Sequence, residues 1–265
     1  MRISVGQFSP TGVVAENLAT IRSLAERAVD DDAELLVLPE ESMFTVRHVD
    51  GPLEEAVAGG WSLFVSGLGE IAAELDIALV AGGYEPSDSE RPFNTLVALG
   101  ADGRIAGTYR KLHLYDAFKH KESDRITPGD AGVTVVELGG LRFGLMTCYD
   151  LRFPEMARAL AVRGADALLV PAAWFKGDHK IDHWKTLLKA RAVENTVWVV
   201  AAGTCSNNTI GYSGIVDPLA LPVATLDEET EAIATAEVDR ERLDEVREFL
   251  PLLENRRTDV EDLRS

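Results

Sequence analysis

Two short runs constrain the fold more than any other feature. Leu35-Leu36-Val37-Leu38 and Ala167-Leu168-Leu169-Val170 contain no polar residue, and a proline follows each, Pro39 and Pro171. An apolar run of this length without alternation belongs to a strand buried on both faces. Each run follows a segment of helical periodicity, and their surroundings echo one another: Ala33-Glu34 leads into the first and Ala165-Asp166 into the second. The echo predicts two similar strand–helix halves in an α/β chain whose sheets are covered on both sides.

The rest of the pattern alternates in the same way. Residues 3–8 have the alternation of a strand. Residues 17–29 have helical spacing, because Leu18, Ile21, Leu24, Ala25 and Ala28 recur on one face. Helices are also expected at 61–75, 153–163 and 181–193. Strands are expected at 77–84, 94–99, 104–109, 133–138, 141–147, 197–202, 212–216, 223–225 and 232–238. Asp102-Gly103 and Gly139-Gly140 suit hairpin turns. Asp239 caps a short acidic helix. No long linker, low-complexity tract or Gly/Ser hinge divides the 265 residues. A single domain is therefore expected over 1–248. The charged, aperiodic tail at 249–265 is either frayed or laid on a partner subunit.

Composition narrows the classes of partner. Lys and Arg number 26 against 44 Asp and Glu, a formal charge of −18. Such a surface argues against nucleic acid and anionic membranes. The N-terminal residues lack the apolar stretch and cleavage site of a secretory signal, and no run looks long enough to cross a bilayer. The two cysteines, Cys148 and Cys205, are too few for a disulfide framework. No Cys/His cluster suggests zinc, so neither metal nor cofactor is expected. A reducing cytoplasm fits. Neither Gly-x-Gly-x-x-Gly nor Gly-x-x-x-x-Gly-Lys-Ser/Thr occurs, which leaves nucleotide binding without a motif.

In α/β sheets ligands sit at the carboxyl ends of strands, so the residues that follow each strand carry the chemistry. After 35–38 comes Pro39-Glu40-Glu41. After 104–109 comes Arg110-Lys111-Leu112-His113. After 141–147 comes Cys148-Tyr149-Asp150. After 167–170 comes Pro171-Ala172-Ala173-Trp174. A carboxylate, an ammonium, a thiol and an aromatic ring share one rim. Together they supply a base, an oxyanion stabiliser and a nucleophile. Cys148 lies where a strand turns toward a helix beginning near Pro154, a position that presents a nucleophile, and helix-start N–H groups there favour a thiolate. The carboxyl of Glu40 opposes this, so base-assisted attack fits better than a standing thiolate. Cys205 has no base or ammonium beside it in sequence and is expected to be inert.

The order Glu40, Lys111, Cys148 resembles the nitrilase, or carbon–nitrogen hydrolase, superfamily over nearly the whole chain. The specific segments are Lys111-Leu112-His113-Leu114 and Cys148-Tyr149-Asp150-Leu151-Arg152-Phe153-Pro154-Glu155. Val5-Gly6-Gln7-Phe8, Leu38-Pro39-Glu40, His183-Trp184 and Arg191-Ala192-Val193-Glu194-Asn195 add to them. The cysteine segment is similar to the branch that includes omega-amidases. The resemblance implies a four-layer αββα sandwich and a Glu40–Lys111–Cys148 triad. It implies a second glutamate beside the triad, carried onto Glu122. It also implies a homodimer or higher homo-oligomer, with the C-terminal tail crossing to the other subunit. The implied reaction is hydrolysis of a small amide to acid and ammonia through a thioester, with Tyr149 supplying a backbone N–H to the oxyanion. Trp174 and Phe175 are expected to line the substrate pocket, and Lys176 either binds a substrate carboxylate or faces water. His113, Asp150 and Arg152 are expected to support the loops. A nitrilase, an N-carbamoyl hydrolase or an aliphatic amidase on the same fold stays open, as does a non-catalytic scaffold.

Overall fold

Both apolar runs become central strands, one in each of two sheets. The computed structural model describes residues 1–49, 52–118 and 120–258. Its first half contains β1 (Arg2–Gln7), α1 (Val14–Asp30), β2 (Leu35–Val37), α2 (Leu53–Leu75), β3 (Ala78–Glu85), β4 (Phe93–Leu99) and β5 (Ile105–Arg110). A small hairpin follows, β6 (Asp116–Ala117) and β7 (His120–Lys121). The second half contains β8 (Thr134–Leu138), β9 (Leu141–Leu145), α3 (Pro154–Val162), β10 (Ala167–Ala172), α4 (Lys180–Asn195), β11 (Trp198–Gly203), β12 (Gly214–Val216) and β13 (Pro222–Thr225). Then come β14 (Ala232–Glu237) and α5 (Arg240–Phe249), which Asp239 caps by accepting from the N–H of Arg242.

The echo between the halves is topological. One sheet has the order β14-β1-β2-β3-β4-β5 and the other β8-β9-β10-β11-β12-β13, read from its far edge. In the first, β1, β2 and β3 are parallel and the outer strands antiparallel. In the second, β9, β10 and β11 are parallel and the outer strands antiparallel. Thus β2 and β10, the two apolar runs, hold the same place.

Side-chain alternation along β2 builds the layers. Leu35 and Val37 join Ile3, Val5 and Val80 in a core shared with Leu145, Val170 and Val200 of the second sheet. Leu36 and Leu38 turn the other way, onto Ile21, Leu24, Phe64 and Leu68 of α1 and α2. Helices α3 and α4 cover the outer face of the second sheet with Leu160, Trp184 and Leu188. The result is a four-layer αββα sandwich. Each fully buried Leu contributes about 1.5–3 kcal/mol of transfer free energy, so the runs stabilise both faces of both sheets.

Two expectations need correction. Helix α2 starts at Leu53, eight residues before the expected 61. Gly59 and Gly60 interrupt the apolar pattern there, yet a side-chain carbon on Gly60 would meet Met43 at 2.7 Å, so close packing favours the glycine. Helix α2 is also long and apolar enough to cross a membrane by length and composition, the one such helix among the described residues. It is a core helix, because Val57, Phe64, Leu68, Ile71 and Ala72 are buried against the sandwich. Helix α5 runs through Phe249, and Leu253 packs on the inner core. The expected subunit-crossing tail falls in part on residues 259–265, outside the described residues.

One glycine sets the loop after β2. Gly82 on β3 donates its N–H to the Pro39 carbonyl, and Met43 donates to the Gly82 carbonyl. A Cβ on Gly82 would sit 2.1 Å from the Glu40 carbonyl oxygen. Gly82→Ala is expected to push that loop off the sheet and destabilise the fold by about 1–3 kcal/mol, measured as a lowered urea midpoint at unchanged m-value.

Candidate active site

Strand β9 delivers Cys148 to a tight elbow. The chain leaves β9 through Met146 and Thr147 and enters a 3-10 turn, Cys148–Arg152. Cys148 has φ +47°, the left-handed region that a non-glycine residue occupies only when its surroundings insist. Asp150 supplies the constraint. Its Oδ2 accepts the Thr147 N–H at 2.9 Å and the Tyr109 hydroxyl at 2.7 Å. Its Oδ1 accepts the His113 backbone N–H at 3.1 Å and lies 2.7 Å from His113 Nδ1. The elbow is thereby tied to the end of β5. His113 stacks on Phe153 at 3.7 Å and supports the loops, away from the cavity.

Glu40, Lys111 and Glu122 converge on one another. Lys111 is only 2% exposed. Its Nζ donates to Glu40 Oε1 at 2.8 Å and to Glu122 at 2.9 and 3.2 Å. Asn94 donates from Nδ2 to both carboxylates, at 2.8 Å to Glu40 and 3.2 Å to Glu122. The backbone N–H of Ala173, just past β10, reaches Glu40 Oε2 at 2.7 Å. The N–H of Tyr115 reaches Glu122 Oε2 at 2.6 Å. Burial opposes the Lys111 charge, but Glu122 and Glu40 outweigh it and hold its pKa well above the usual lysine value. The ammonium is permanent.

The thiol behaves in the opposite way. Burial, then the charge of Glu40, push the Cys148 pKa well above its usual value, and Lys111 only partly offsets them. This corrects the expectation that helix-start N–H groups favour a thiolate. Helix α3 begins at Pro154, six residues on, and Cys148 lies in a different turn. A neutral thiol beside a carboxylate is set up for proton transfer as it attacks.

Glu40, Lys111, Glu122 and Cys148 all line one cavity of about 840 Å³, open solvent at its mouth included. Tyr149, Trp174 and Phe175 line it too. Cations gather on its walls. Arg152 lies over the Trp174 ring at 4.8 Å, and its Nε and one terminal nitrogen are buried without a hydrogen-bond partner. Lys180 donates to the Tyr115 hydroxyl at 3.0 Å and sits over the Phe118 ring at 4.4 Å. Burial, then Arg152, lower its pKa. Arg47 lies over Phe175 at 4.3 Å. Lys176 is elsewhere, 3.6 Å from Glu228 on the surface. Cys205 is buried with its Sγ on the Glu228 carbonyl. Among the described residues no group of three or more His, Cys, Asp or Glu is placed to hold a metal ion.

Sequence reasoning missed Asn94, Lys180, Arg47 and the inward turn of Arg152. Asn94 was within reach of a rule. It opens β4, which is antiparallel to β3, so its first residues share a rim with the carboxyl end of β3: Asn94 pairs with Tyr84. Lys180 opens α4 after a loop, and nothing in its neighbours separates it from an exposed lysine.

Comparisons with known proteins agree with this fold. The family model "Carbon-nitrogen hydrolase" matches residues 2–248. The chain is 43% identical over 260 residues to the deaminated glutathione amidase of Escherichia coli O157:H7, covering 97% of each. A carbon–nitrogen hydrolase from Helicobacter pylori G27 superposes with TM-score 0.91 at 27% identity, covering 100% of this chain and 98% of that one. A glutamate-to-glutamine mutant of the amidase from Nesterenkonia sp. AN1 superposes with TM-score 0.83 at 28% identity, covering 100% and 97%; it carries the acetamide moiety of fluoroacetamide added covalently at its active-site cysteine. With a sandwich of two mixed sheets, a cysteine at an elbow and a family match over almost its whole length, the chain belongs to the carbon–nitrogen hydrolase family and is an enzyme of the amidase kind.

Proposed function

We propose that the enzyme hydrolyses the terminal amide of a small, carboxylate-bearing substrate to the acid and ammonia. The observation that carries this is a permanent ammonium, Lys111, locked between Glu40 and Glu122 on the wall of the cavity that the Cys148 thiol lines. In this reaction Glu40 takes the thiol proton as Sγ bonds to the amide carbon. The carbonyl π electrons move to oxygen. That oxyanion is met by Lys111 and by the Tyr149 N–H, each donor worth roughly 3 kcal/mol of barrier. Lys111 Nζ contacts three carboxylate oxygens, and the longest contact, 3.2 Å to Glu122 Oε1, is the one that yields its N–H to the oxyanion. The protonated Glu40 then gives its proton to the nitrogen. The C–N bond breaks, ammonia departs and a thioester remains. Water, losing a proton to Glu40, attacks the thioester. The acid leaves and the proton returns to sulfur.

Glu122 acts as a positioning residue. It holds Lys111 from the side opposite Glu40 and shares Asn94 with it. The carboxylate preference rests on Arg152, whose buried, unpartnered nitrogens match an anionic acceptor, and on Lys180 beside it. The covalent adduct on the cysteine of the Nesterenkonia amidase supports the nucleophile. Deaminated glutathione, named in the relative from Escherichia coli, is one candidate within this substrate class.

Cys148→Ala is expected to abolish ammonia release from a panel of glutaramate-like amides, aliphatic amides and nitriles. Glu40→Gln should lower kcat by roughly 10²–10⁴-fold, and intact mass should show no adduct in the alanine variant. Turnover surviving Cys148→Ala would end the proposal. Arg152→Met should raise KM for a carboxylate-bearing amide roughly tenfold to a hundredfold, with a smaller change for a neutral amide of equal length. We also propose a homodimer or larger homo-oligomer, supported by Val162 and Val193, exposed on the outer helices α3 and α4. Light scattering at micromolar concentration should then give at least twice the 28.8 kDa chain mass.

A further inference from the structure

Glu41 follows the candidate base in sequence, and its side chain lines the same cavity. The reaction proposed above does not use it. Its neighbours come from three parts of the fold. The hydroxyl of Tyr84, near the end of β3, donates to Glu41 Oε1 at 3.1 Å. Tyr84 is buried and stacked on Phe44 at 5.3 Å, so this donor cannot swing away. Thr45, on the same loop, adds a side-chain hydrogen bond. Among charged groups, Glu40 stands beside it with like charge, and Arg47 opposes it from the 3-10 turn Val46–His48. Glu122 adds negative charge around Tyr84. Among the described residues the ion pairs of the site join Lys111 to Glu40 and Glu122, and none reaches Glu41.

A cavity-facing carboxyl with no ion pair and a carboxylate as its chain neighbour is poorly placed to stay charged. Burial, then Glu40, push Glu41 up to about 7. Below neutrality it is a carboxylic acid with an O–H to donate. Above neutrality it adds a second negative charge to the wall that already holds Glu40. The cost of that charge falls on anionic ligands.

We propose that Glu41 is a specificity-determining residue: as an acid it faces the substrate as a hydrogen-bond donor, and on ionising it charges the cavity against carboxylate-bearing amides while leaving neutral amides unaffected. This rests on the amidase reading of the site. It makes selectivity, rather than catalysis, the property that changes near neutral pH.

The test compares kcat/KM for glutaramate with that for butyramide from pH 6 to 8.5. Dividing one by the other cancels the titration of groups that act on both amides. If only the acid form accepts the anion, about one enzyme in eleven is competent at pH 8, and the ratio falls roughly tenfold from its value at pH 6. Glu41→Gln keeps a donor and cannot ionise, so its ratio should stay flat. A purely structural role would change both amides equally and leave the ratio alone. A flat ratio in the unaltered enzyme overturns the proposal without any variant. If no amide is turned over, the amidase reading has failed separately. Protection of Cys148 from iodoacetamide by glutarate, followed by intact mass, then gives the answer: protection stronger at pH 6 than at pH 8 supports the role of Glu41. Equal protection, or none, overturns it.

Discussion

The site depends on one buried cation. Lys111 is held by two carboxylates inside the sandwich rim, and each of the three groups is there only because the others are. Removing either carboxylate would take from the buried ammonium one of its two charged hydrogen-bond partners, which is unfavourable. Removing the lysine would leave Glu40 and Glu122 facing each other across Asn94. The arrangement therefore does more than supply an oxyanion donor. It fixes the loop after β2, the end of β5 and the turn that bears Glu122 in one register.

The two halves of the sandwich meet at the same point. β2 and β10 are corresponding strands, and the loops that leave them touch: the Ala173 N–H bonds the Glu40 carboxylate. The paired strands thus have opposite roles at their ends, one supplying a side chain and the other a backbone donor. On the second sheet the Cys148 elbow is pinned by Asp150 to Tyr109 and His113 of the first. Two cross-sheet ties, one at the base and one at the nucleophile, keep the thiol and the carboxylate from drifting apart. Rigid placement of this kind is what converts nearby groups into a catalytic set.

Much of this was legible because strand ends are legible. Glu40, Lys111 and Cys148 each follow a strand whose sequence pattern located it to within a residue or two. The layers were readable from Leu35 to Leu38, whose unbroken apolarity demands cover on both sides. What escaped was set by tertiary contact. Asn94 lay hidden because it begins an antiparallel strand instead of ending a parallel one. The first turns of α2 were obscured by Gly59 and Gly60, of which close packing favours Gly60. The thiol's neutral resting state was legible from Glu40, but the helix start was overcredited, since sequence proximity to Pro154 says nothing of burial. Arg152 and Lys180 look like surface charges until the fold encloses them.

The neutrality of Cys148 has a bearing on durability. Peroxide and other mild oxidants attack sulfur anions and largely ignore the protonated form. A sulfur that gives up its proton only while a carbon electrophile is in place offers them little to react with. The same burial that makes the nucleophile need a base shields it from sulfenic acid formation between turnovers.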